Sequence, residues 1–242
     1  MKLSDSFGQE VDFEFPETKQ IAVNCSGGAD SSILLYMVCD WVKNHSPETR
    51  VNVLSCSNDF KHRWNGRKAA DVINYTIDRL RFDPIDLHYT YYRDFQDEKY
   101  FHDIEPKLFA DERVDLIVSG ITSNPRVEAH VESSEGEMVD LAVEALPIRN
   151  TDNAPTLHIN DHGHRHWTPF INVDKRWIAA MYVEYDVMDM FDLTRSCESV
   201  PDPRTNNETD RAHAADFDPN FEHEPCGTCW WCLERKWAFG RF

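Results

Sequence analysis

The first half of the chain alternates between two patterns of apolar residues, one with the period of strands and one with the period of helices. Short apolar runs that end at serine, glycine or charged residues are typical of buried strands; they lie at 20–25, 51–56, 84–89 and 114–119. Between them, apolar residues recur at steps of three and four, as on amphipathic helices; these segments are 33–42, 69–80 and 100–112. Strands that alternate with helices predict a doubly wound α/β fold, with a parallel sheet covered on both faces.

The second half of the chain is less regular. The stretch 121–149 is acidic and predicts loops, whereas polar alternation over 156–168 predicts a hairpin. Helices are predicted over 173–187 and 230–239. The segment 199–225 is rich in proline, asparagine and acidic residues, which indicates an exposed loop or insertion.

Composition and charge narrow the class of protein. The chain has 242 residues, 41% of them apolar, so it can bury a sizeable core. We expect a cytoplasmic protein, because the chain shows no secretory leader at its start and no apolar window of about 18 residues. The net charge of −18 disfavours nucleic acid as a partner, since phosphate backbones bind lysine and arginine. Such acidity is typical of a soluble surface or of a salty cytoplasm.

A glycine-rich loop lies between the first predicted strand and helix, with the sequence Ser26-Gly27-Gly28-Ala29-Asp30-Ser31. Two glycines let the backbone turn sharply, and a helix N-terminus attracts anions. Serine hydroxyls can contact phosphate oxygens, and Asp30 can cap the helix or help to hold Mg²⁺ through water. An ordinary glycine turn with a polar helix cap is the alternative. The predicted nucleotide-binding residues are Ser26, Gly27, Gly28, Ala29, Asp30, Ser31, Ser32, Cys56 and Gly120.

The loop differs from the Walker A motif, because no lysine follows its glycines. It resembles instead the SGGxDS signature of the PP-loop, or N-type, ATP pyrophosphatases. This resemblance implies the adenine nucleotide α hydrolase-like fold, with ATP and Mg²⁺ as ligands. It also implies that the loop holds the departing pyrophosphate while a substrate attacks the α-phosphate.

The C-terminal end carries a cluster of cysteines. Cys226, Cys229 and Cys232 have CxxCxxC spacing, and Cys197 could supply a fourth thiolate. In a cytosolic chain this clustering indicates metal rather than disulfides. Four thiolates with no open position predict a structural Zn²⁺ site; an iron–sulfur cluster and unligated cysteines are the alternatives. We therefore expect an ATP-binding α/β domain over 1–190 and a small zinc-binding module with its acidic insertion over 191–242, packed as one unit.

A second resemblance joins these motifs. The run from Thr194 to Cys197 reads TRSC, the run from Cys226 to Arg235 reads CGTCWWCLER, and a proline-to-lysine stretch ends at Lys175. In this order they are similar to the 7-cyano-7-deazaguanine synthases. That resemblance implies a carbon–nitrogen ligase that activates 7-carboxy-7-deazaguanine with ATP and aminates it with ammonia to an amide and then a nitrile.

Site residues can also be named, and one segment of the chain departs from the family's sequence. Asp30, Lys175 and Arg126 are the predicted catalytic residues. As basic side chains, Lys175 and Arg126 could bind phosphate or a substrate carboxylate; ordinary surface charges are the alternative for both. The family's substrate loop after the fourth strand has a Tyr-Pro-Asp-Cys-Arg run, whereas this chain has Gly120 to Arg126 without aspartate or cysteine. The identity of the acceptor is therefore open, and a protein acceptor is one possibility. The sequence also leaves open whether the enzyme forms AMP or ADP and whether the chain forms a homodimer.

Three alternative functions remain at this stage. One is a related enzyme that joins a deazapurine or another activated carboxylate to a different amine, for which the altered loop argues. Another is a tRNA-thiolation or sulfate-reductase-like enzyme, which needs a catalytic cysteine, with Cys25 and Cys56 as candidates. The third is a zinc-stabilised module that binds nucleotide without turnover.

Overall fold

The computed structural model describes residues 2–58, 64–93, 100–125, 131–132, 138–139, 155–197, 225, 227 and 229–241. The strands are β1 (Lys2–Ser4), β2 (Glu10–Asp12), β3 (Gln20–Asn24), β4 (Arg50–Asn58), β5 (Ile85–Arg93), β6 (Leu116–Ser119), β7 (Val131–Glu132), β8 (Met138–Val139), β9 (Leu157–Ile159) and β10 (Arg165–Trp167). The helices are α1 (Ala29–His45), α2 (Asn65–Leu80), α3 (Tyr100–Ala110), α4 (Lys175–Glu184), α5 (Met188–Phe191) and α6 (Trp230–Phe239).

The main sheet has six strands in the order β5-β4-β3-β6-β10-β9. Neighbouring strands are parallel except for the β9–β10 hairpin. The chain moves from β3 outward through β4 to β5, and then returns to place β6 on the other side of β3. The direction of winding therefore reverses between β3 and β6, and in open α/β sheets ligands bind at such a reversal, beyond the carboxyl ends of the strands.

Both faces of this sheet are covered. On β3, Ile21 and Val23 pack into the larger core cluster with α1, α2 and α4, whereas Ala22 packs into a smaller cluster with Leu108 of α3. Crossover connections are right-handed, so reversing the direction of winding puts the next helix on the opposite face. The two-sided burial follows from this topology and confirms the doubly wound α/β fold predicted from the apolar pattern.

An aromatic cluster ties the N-terminal segment to the sheet. Phe15 stacks on Trp41 of α1 with ring centroids 4.4 Å apart, and it lies 4.8 Å from Trp167 of β10. Phe13 contacts the same Trp167 at 4.9 Å. The short antiparallel pair β1–β2 precedes this cluster; it was not predicted, because each strand has three residues and Val11 is the one buried among them.

The C-terminal half differs in part from its predicted structure. The hairpin over 156–168 is confirmed, and β10 also joins the main sheet beside β6. A predicted helix over 173–187 is split, because the left-handed conformation of Asp186, with φ of 53°, separates α4 from α5. Within 121–149, expected to be loops, β7 and β8 form a two-stranded ladder.

The predicted acidic insertion at 199–225 lies outside the described residues except for Pro225. The predicted C-terminal helix is present as α6, and it packs against α4. The division of the chain at residue 190 stays a prediction. Within the part of the chain that the structure describes, no helix is both long enough and apolar enough to cross a membrane.

The aromatic cluster predicts a large loss of stability for Trp167→Ala. Its indole is 2% exposed, and truncating a buried tryptophan removes about 3–5 kcal/mol from the free energy of unfolding. Val183→Ala on the exposed side of α4 is the control, with an expected change within about 0.5 kcal/mol. Urea denaturation of both variants checks this; equal midpoints would contradict the assigned core.

Candidate active site and metal centre

The glycine-rich loop lies where the winding of the sheet reverses. It connects the end of β3 to the start of α1, and Gly120 follows the end of β6, the strand next to β3. The loop is braced by its own hydroxyls: the Ser26 N–H donates to Ser31 Oγ over 3.1 Å, and Ser31 Oγ donates to the Gly28 carbonyl over 3.2 Å. The backbone is thus held in one conformation around the N-terminus of α1.

Gly27 is a position that a larger residue would disrupt. Its φ is 72°, and a Cβ added there would lie 2.3 Å from Lys68 Cβ on α2. Its carbonyl accepts a hydrogen bond of 2.8 Å from the backbone N–H of Arg195. The loop therefore packs closely against α2 on one side and is tied to the segment before Cys197 on the other.

A pocket of about 240 Å³ opens above this loop. Loop residues form one wall, and residues next to the cysteines form another. Its lining residues are Ser26, Gly28, Asp30, Ser31, Asn65, Gly120, Lys175, Arg195, Ser196 and Trp231. The pocket thus combines a helix N-terminus, hydroxyls, basic side chains and an indole, a set that suits an anionic ligand with a planar part.

A buried ion pair forms the floor of the pocket. Lys175 Nζ lies 2.5 Å from Asp30 Oδ2 and 3.6 Å from Glu234 Oε2, and the Lys175 side chain is 3% exposed. Lys175 is the first residue of α4, where the helix dipole disfavours a cation. Burial also disfavours the ammonium group, so the two carboxylates are needed to stabilise it there.

Asp30 keeps one oxygen for a ligand. Its Oδ1 is buried and accepts no hydrogen bond from any of the described residues. A buried carboxylate oxygen beside serine hydroxyls is the hard oxygen donor that Mg²⁺ prefers, either directly or through water. The residues present therefore fit a Mg²⁺ ion that accompanies nucleotide phosphates.

Three cysteines form a separate candidate metal site. The Sγ atoms of Cys197, Cys229 and Cys232 all lie within 4.8 Å of one another, and the Cys229–Cys197 distance is 3.9 Å. Tetrahedral Zn²⁺ with Zn–S bonds of about 2.3 Å places its thiolates about 3.8 Å apart. Hydrogen bonds that the Cys232 thiol donates to the sulfurs of Cys197 and Cys229, together with burial, raise the pKa of Cys232. The three thiols fit one metal ion, which would take them as thiolates.

Arg235 anchors the cysteine-bearing helix α6 to the body of the protein. Its guanidinium donates to Thr194 Oγ1 over 2.8 Å and to the Phe191 carbonyl over 3.0 Å, and it lies 3.7 Å from the centre of the Phe191 ring. Burial lowers the pKa of Arg235 to about 10. The helix that carries two of the thiols is therefore fixed against α5 by a buried, hydrogen-bonded cation.

The structure brings together most of the residues that the sequence predicted for the site. Those that line the pocket are Ser26, Gly28, Asp30, Ser31, Gly120 and Lys175. Gly27 shapes the loop, while Ala29 and Ser32 are fully buried beneath it. Cys56 lies on β4 and does not itself line the pocket, but its carbonyl accepts a hydrogen bond from Asn65, which does. Arg126 and Cys226 lie outside the described residues.

Several site residues were missed. Arg195 and Ser196 sit inside the TRSC motif, and Trp231 sits between two cysteines, so their motifs could have placed them at the pocket. Glu234 follows Trp230 by four residues and precedes Trp237 by three, so helical spacing puts it on the apolar face of α6. An acidic residue on a buried helix face is a signal for a buried partner. Nothing in the sequence marks Asn65.

Comparison with known proteins gives distant structural likenesses. No protein-family model matches the chain, and no curated protein matches it. It is similar to the FMN adenylyltransferase of Candida glabrata in complex with FMN and an ATP analogue (16% identity, 68% of this chain and 48% of that chain, TM-score 0.41). It is also similar to the U34-tRNA thiolase NcsA of Methanococcus maripaludis with its [4Fe-4S] cluster (14% identity, 91% of this chain and 70% of that chain, TM-score 0.39). A third similar structure is the NMN synthetase of Francisella tularensis (13% identity, 74% of this chain and 66% of that chain, TM-score 0.38).

The chain spans about half the length of the adenylyltransferase chain. Structural similarity at these TM-scores does not indicate function. The α/β fold is shown by the strand order and the two-sided core described above.

The packing of Gly27 gives a matched test of the loop. Gly27→Ala and Gly163→Ala place an alanine at similar positive φ values, 72° and 80°, but nothing lies within 4 Å of a Cβ at Gly163. Both should lose about 1 kcal/mol to the backbone conformation, and Gly27→Ala should lose roughly a further 1–3 kcal/mol to the clash with Lys68. Chemical denaturation measures the difference, and equal losses would show that the loop does not pack as described.

Proposed function

We propose that this protein is an ATP-dependent carbon–nitrogen ligase of the PP-loop type, which releases pyrophosphate while it activates a carboxylate. The observation that carries the proposal is the pocket at the reversal point of the sheet. There the SGGADS loop, the unsatisfied oxygen of Asp30 and the buried ammonium of Lys175 meet around one cavity.

The loop suits a departing pyrophosphate. The first N–H groups of α1 have no acceptor within the helix, and two of the residues that carry them, Asp30 and Ser31, line the pocket in which phosphate oxygens would lie. No lysine follows the glycines, so the loop lacks the cation that P-loop enzymes place on the β- and γ-phosphates. Here Lys175 approaches from α4, and with Mg²⁺ near Asp30 it would neutralise the charge that builds on the leaving group.

The proposed acceptor is 7-carboxy-7-deazaguanine, with ammonia as the amine. Trp231 lines the pocket and can stack on a planar heterocycle, and the Arg195 guanidinium can hold a carboxylate in a bidentate contact. Arg195 is itself oriented by the Trp64 ring, whose centre lies 4.1 Å from its guanidinium carbon. Arg126 is proposed as a further grip on phosphate or carboxylate.

The chemistry has two rounds. A carboxylate oxygen attacks the α-phosphorus, the bond to the bridging oxygen of the β-phosphate breaks, and pyrophosphate leaves. Ammonia then attacks the acyl carbon and AMP leaves, which gives the amide. The amide oxygen then attacks the α-phosphorus of a second ATP, and a second pyrophosphate leaves. This oxygen departs with AMP, the nitrogen loses two protons, and the nitrile forms. The protein contributes positioning and charge stabilisation rather than a covalent intermediate.

We propose Zn²⁺ for the cysteine site, in a structural role with Cys226 as the fourth ligand. The short Sγ–Sγ distances support one ion, because the thiolates of an iron–sulfur cluster bind different irons and stand farther apart. A closed site without an open position has no place for a reacting molecule.

A second candidate is a related ligase that joins the activated carboxylate to a different amine, including one on a protein. The observation that favours it is the segment after β6, where Gly120 lines the pocket but the family's aspartate and cysteine are missing. Thiolation is less well supported. Cys25 is 1% exposed, and burial raises its pKa to about 11. No described cysteine lines the pocket, so none is placed to act there as a sulfur carrier.

The reaction is tested with ATP, Mg²⁺, ammonia and 7-carboxy-7-deazaguanine, followed by mass spectrometry and assay of pyrophosphate. We expect amide and nitrile together with AMP, and a loss of at least about 100-fold in rate for Asp30→Asn, since removing a charge-stabilising group typically costs that much. Asp40→Asn, on the same helix but away from the pocket, should keep its rate. AMP formation with another amine only would favour the second candidate, and no turnover with any acceptor would favour a nucleotide-binding module.

The metal assignment is tested by elemental analysis of the purified protein. We expect about one zinc per chain, lost in Cys232→Ser because a four-thiolate site cannot close without it. Cys39→Ser, which changes a buried thiol of α1 away from the site, should keep the zinc. Iron together with acid-labile sulfide would contradict the zinc assignment.

A further inference from the structure

Glu234 is a buried acidic residue that no motif explains. Its side chain is fully buried on α6, and its Oε2 lies 3.6 Å from Lys175 Nζ. A carboxylate in such a place is strongly destabilising unless a cation or several donors compensate it. The Lys175 ammonium, itself 3% exposed, is positioned to do so.

The three charged groups form a chain across the base of the pocket. Asp30 holds Lys175 from the loop side at 2.5 Å, and Glu234 faces the same ammonium from α6. An ammonium has three donors in fixed tetrahedral directions. When one N–H of Lys175 points toward Asp30 and another toward Glu234, the tetrahedral geometry of the ammonium fixes the direction of the third N–H. Lys175 itself lines the pocket in which phosphate would bind.

Glu234 is also close to the metal site along the helix. Cys229 is the N-cap of α6, Cys232 lies in its first turn, and Glu234 follows Cys232 by two residues, about 3 Å along the helix axis. A metal that fixes the thiolates therefore fixes the start of the helix that presents Glu234. The cysteine site is connected in this way to the charge beneath the pyrophosphate loop.

We infer that Glu234 is a positioning residue, which directs the Lys175 ammonium toward the leaving pyrophosphate and so connects the metal-bound helix to the active site. Without the Glu234 carboxylate, Lys175 would pair with Asp30 alone. The lysine would then compete with Mg²⁺ for the Asp30 side chain. The inference rests on the proposed function for its catalytic part, whereas the charge chain itself can be tested by stability alone.

The stability arm needs no turnover. Lys175→Met leaves Asp30 and Glu234 without their shared cation, and we expect the melting temperature to fall by roughly 10 °C. Adding Glu234→Gln removes one of the two carboxylates and should recover at least half of that loss. Glu184→Gln, an exposed position on α4, is the control second substitution and should recover none. Equal melting temperatures for Lys175→Met and its Glu234→Gln double variant would overturn the pairing.

The catalytic arm compares Glu234→Gln with Glu234→Asp in the zinc-loaded protein. We expect Glu234→Gln to lower kcat by roughly 10- to 100-fold, with KM for ATP within about threefold, because the lysine acts on charge that develops in the transition state. Glu234→Asp keeps the charge and should retain more of kcat, and both variants should keep one zinc. Unchanged kcat, or a loss that follows zinc content, would overturn the role of Glu234. Absence of turnover in the unsubstituted protein would instead refute the proposed function, with the stability result unaffected.

Discussion

The arrangement of the pocket depends on one buried ion pair, between Lys175 of α4 and Asp30 of α1. It joins two helices through residues that are 145 positions apart in sequence, and its short contact of 2.5 Å lies between groups that are largely shielded from water. A buried pair of this kind is weak evidence for stability, since hydrophobic replacements are often as stable. Its role is better explained by what it holds in place, an ammonium and a carboxylate that both line the pocket.

The topology of the sheet explains why these groups meet. The reversal of winding between β3 and β6 leaves a gap beyond the carboxyl ends of these strands. The SGGADS loop and Gly120, which follow the two strands, line this gap. The other wall comes from the cysteine-bearing segments, through Arg195, Ser196 and Trp231. A metal at the cysteines would thus do more than fasten the C-terminus, because it would hold one side of the pocket.

The sequence allowed the α/β fold, the loop and the thiol cluster to be predicted, because each has a local pattern. Alternating apolar runs mark the strands, and glycines with a serine and an aspartate mark the loop. Long-range pairings have no such pattern: neither the Glu234–Lys175 contact nor the place of Asn65 at the pocket follows from local spacing. The small β1–β2 pair was missed for a related reason, since three-residue strands have too few positions to show a period. Cys56 was predicted from its place at a strand end; β4 continues to Asn58, and the Cys56 carbonyl is hydrogen-bonded to Asn65, which lines the pocket.

The proposed reaction begins when a carboxylate attacks the α-phosphate of ATP above the loop of Ser26 to Ser31. The most direct measurement uses an acceptor labelled with ¹⁸O in its carboxylate and follows the label by mass spectrometry. If the carboxylate attacks the α-phosphate, amide formation transfers one labelled oxygen to AMP, and pyrophosphate carries none. Label found in inorganic phosphate together with ADP would show that the terminal phosphoryl group is transferred instead, and would contradict this account.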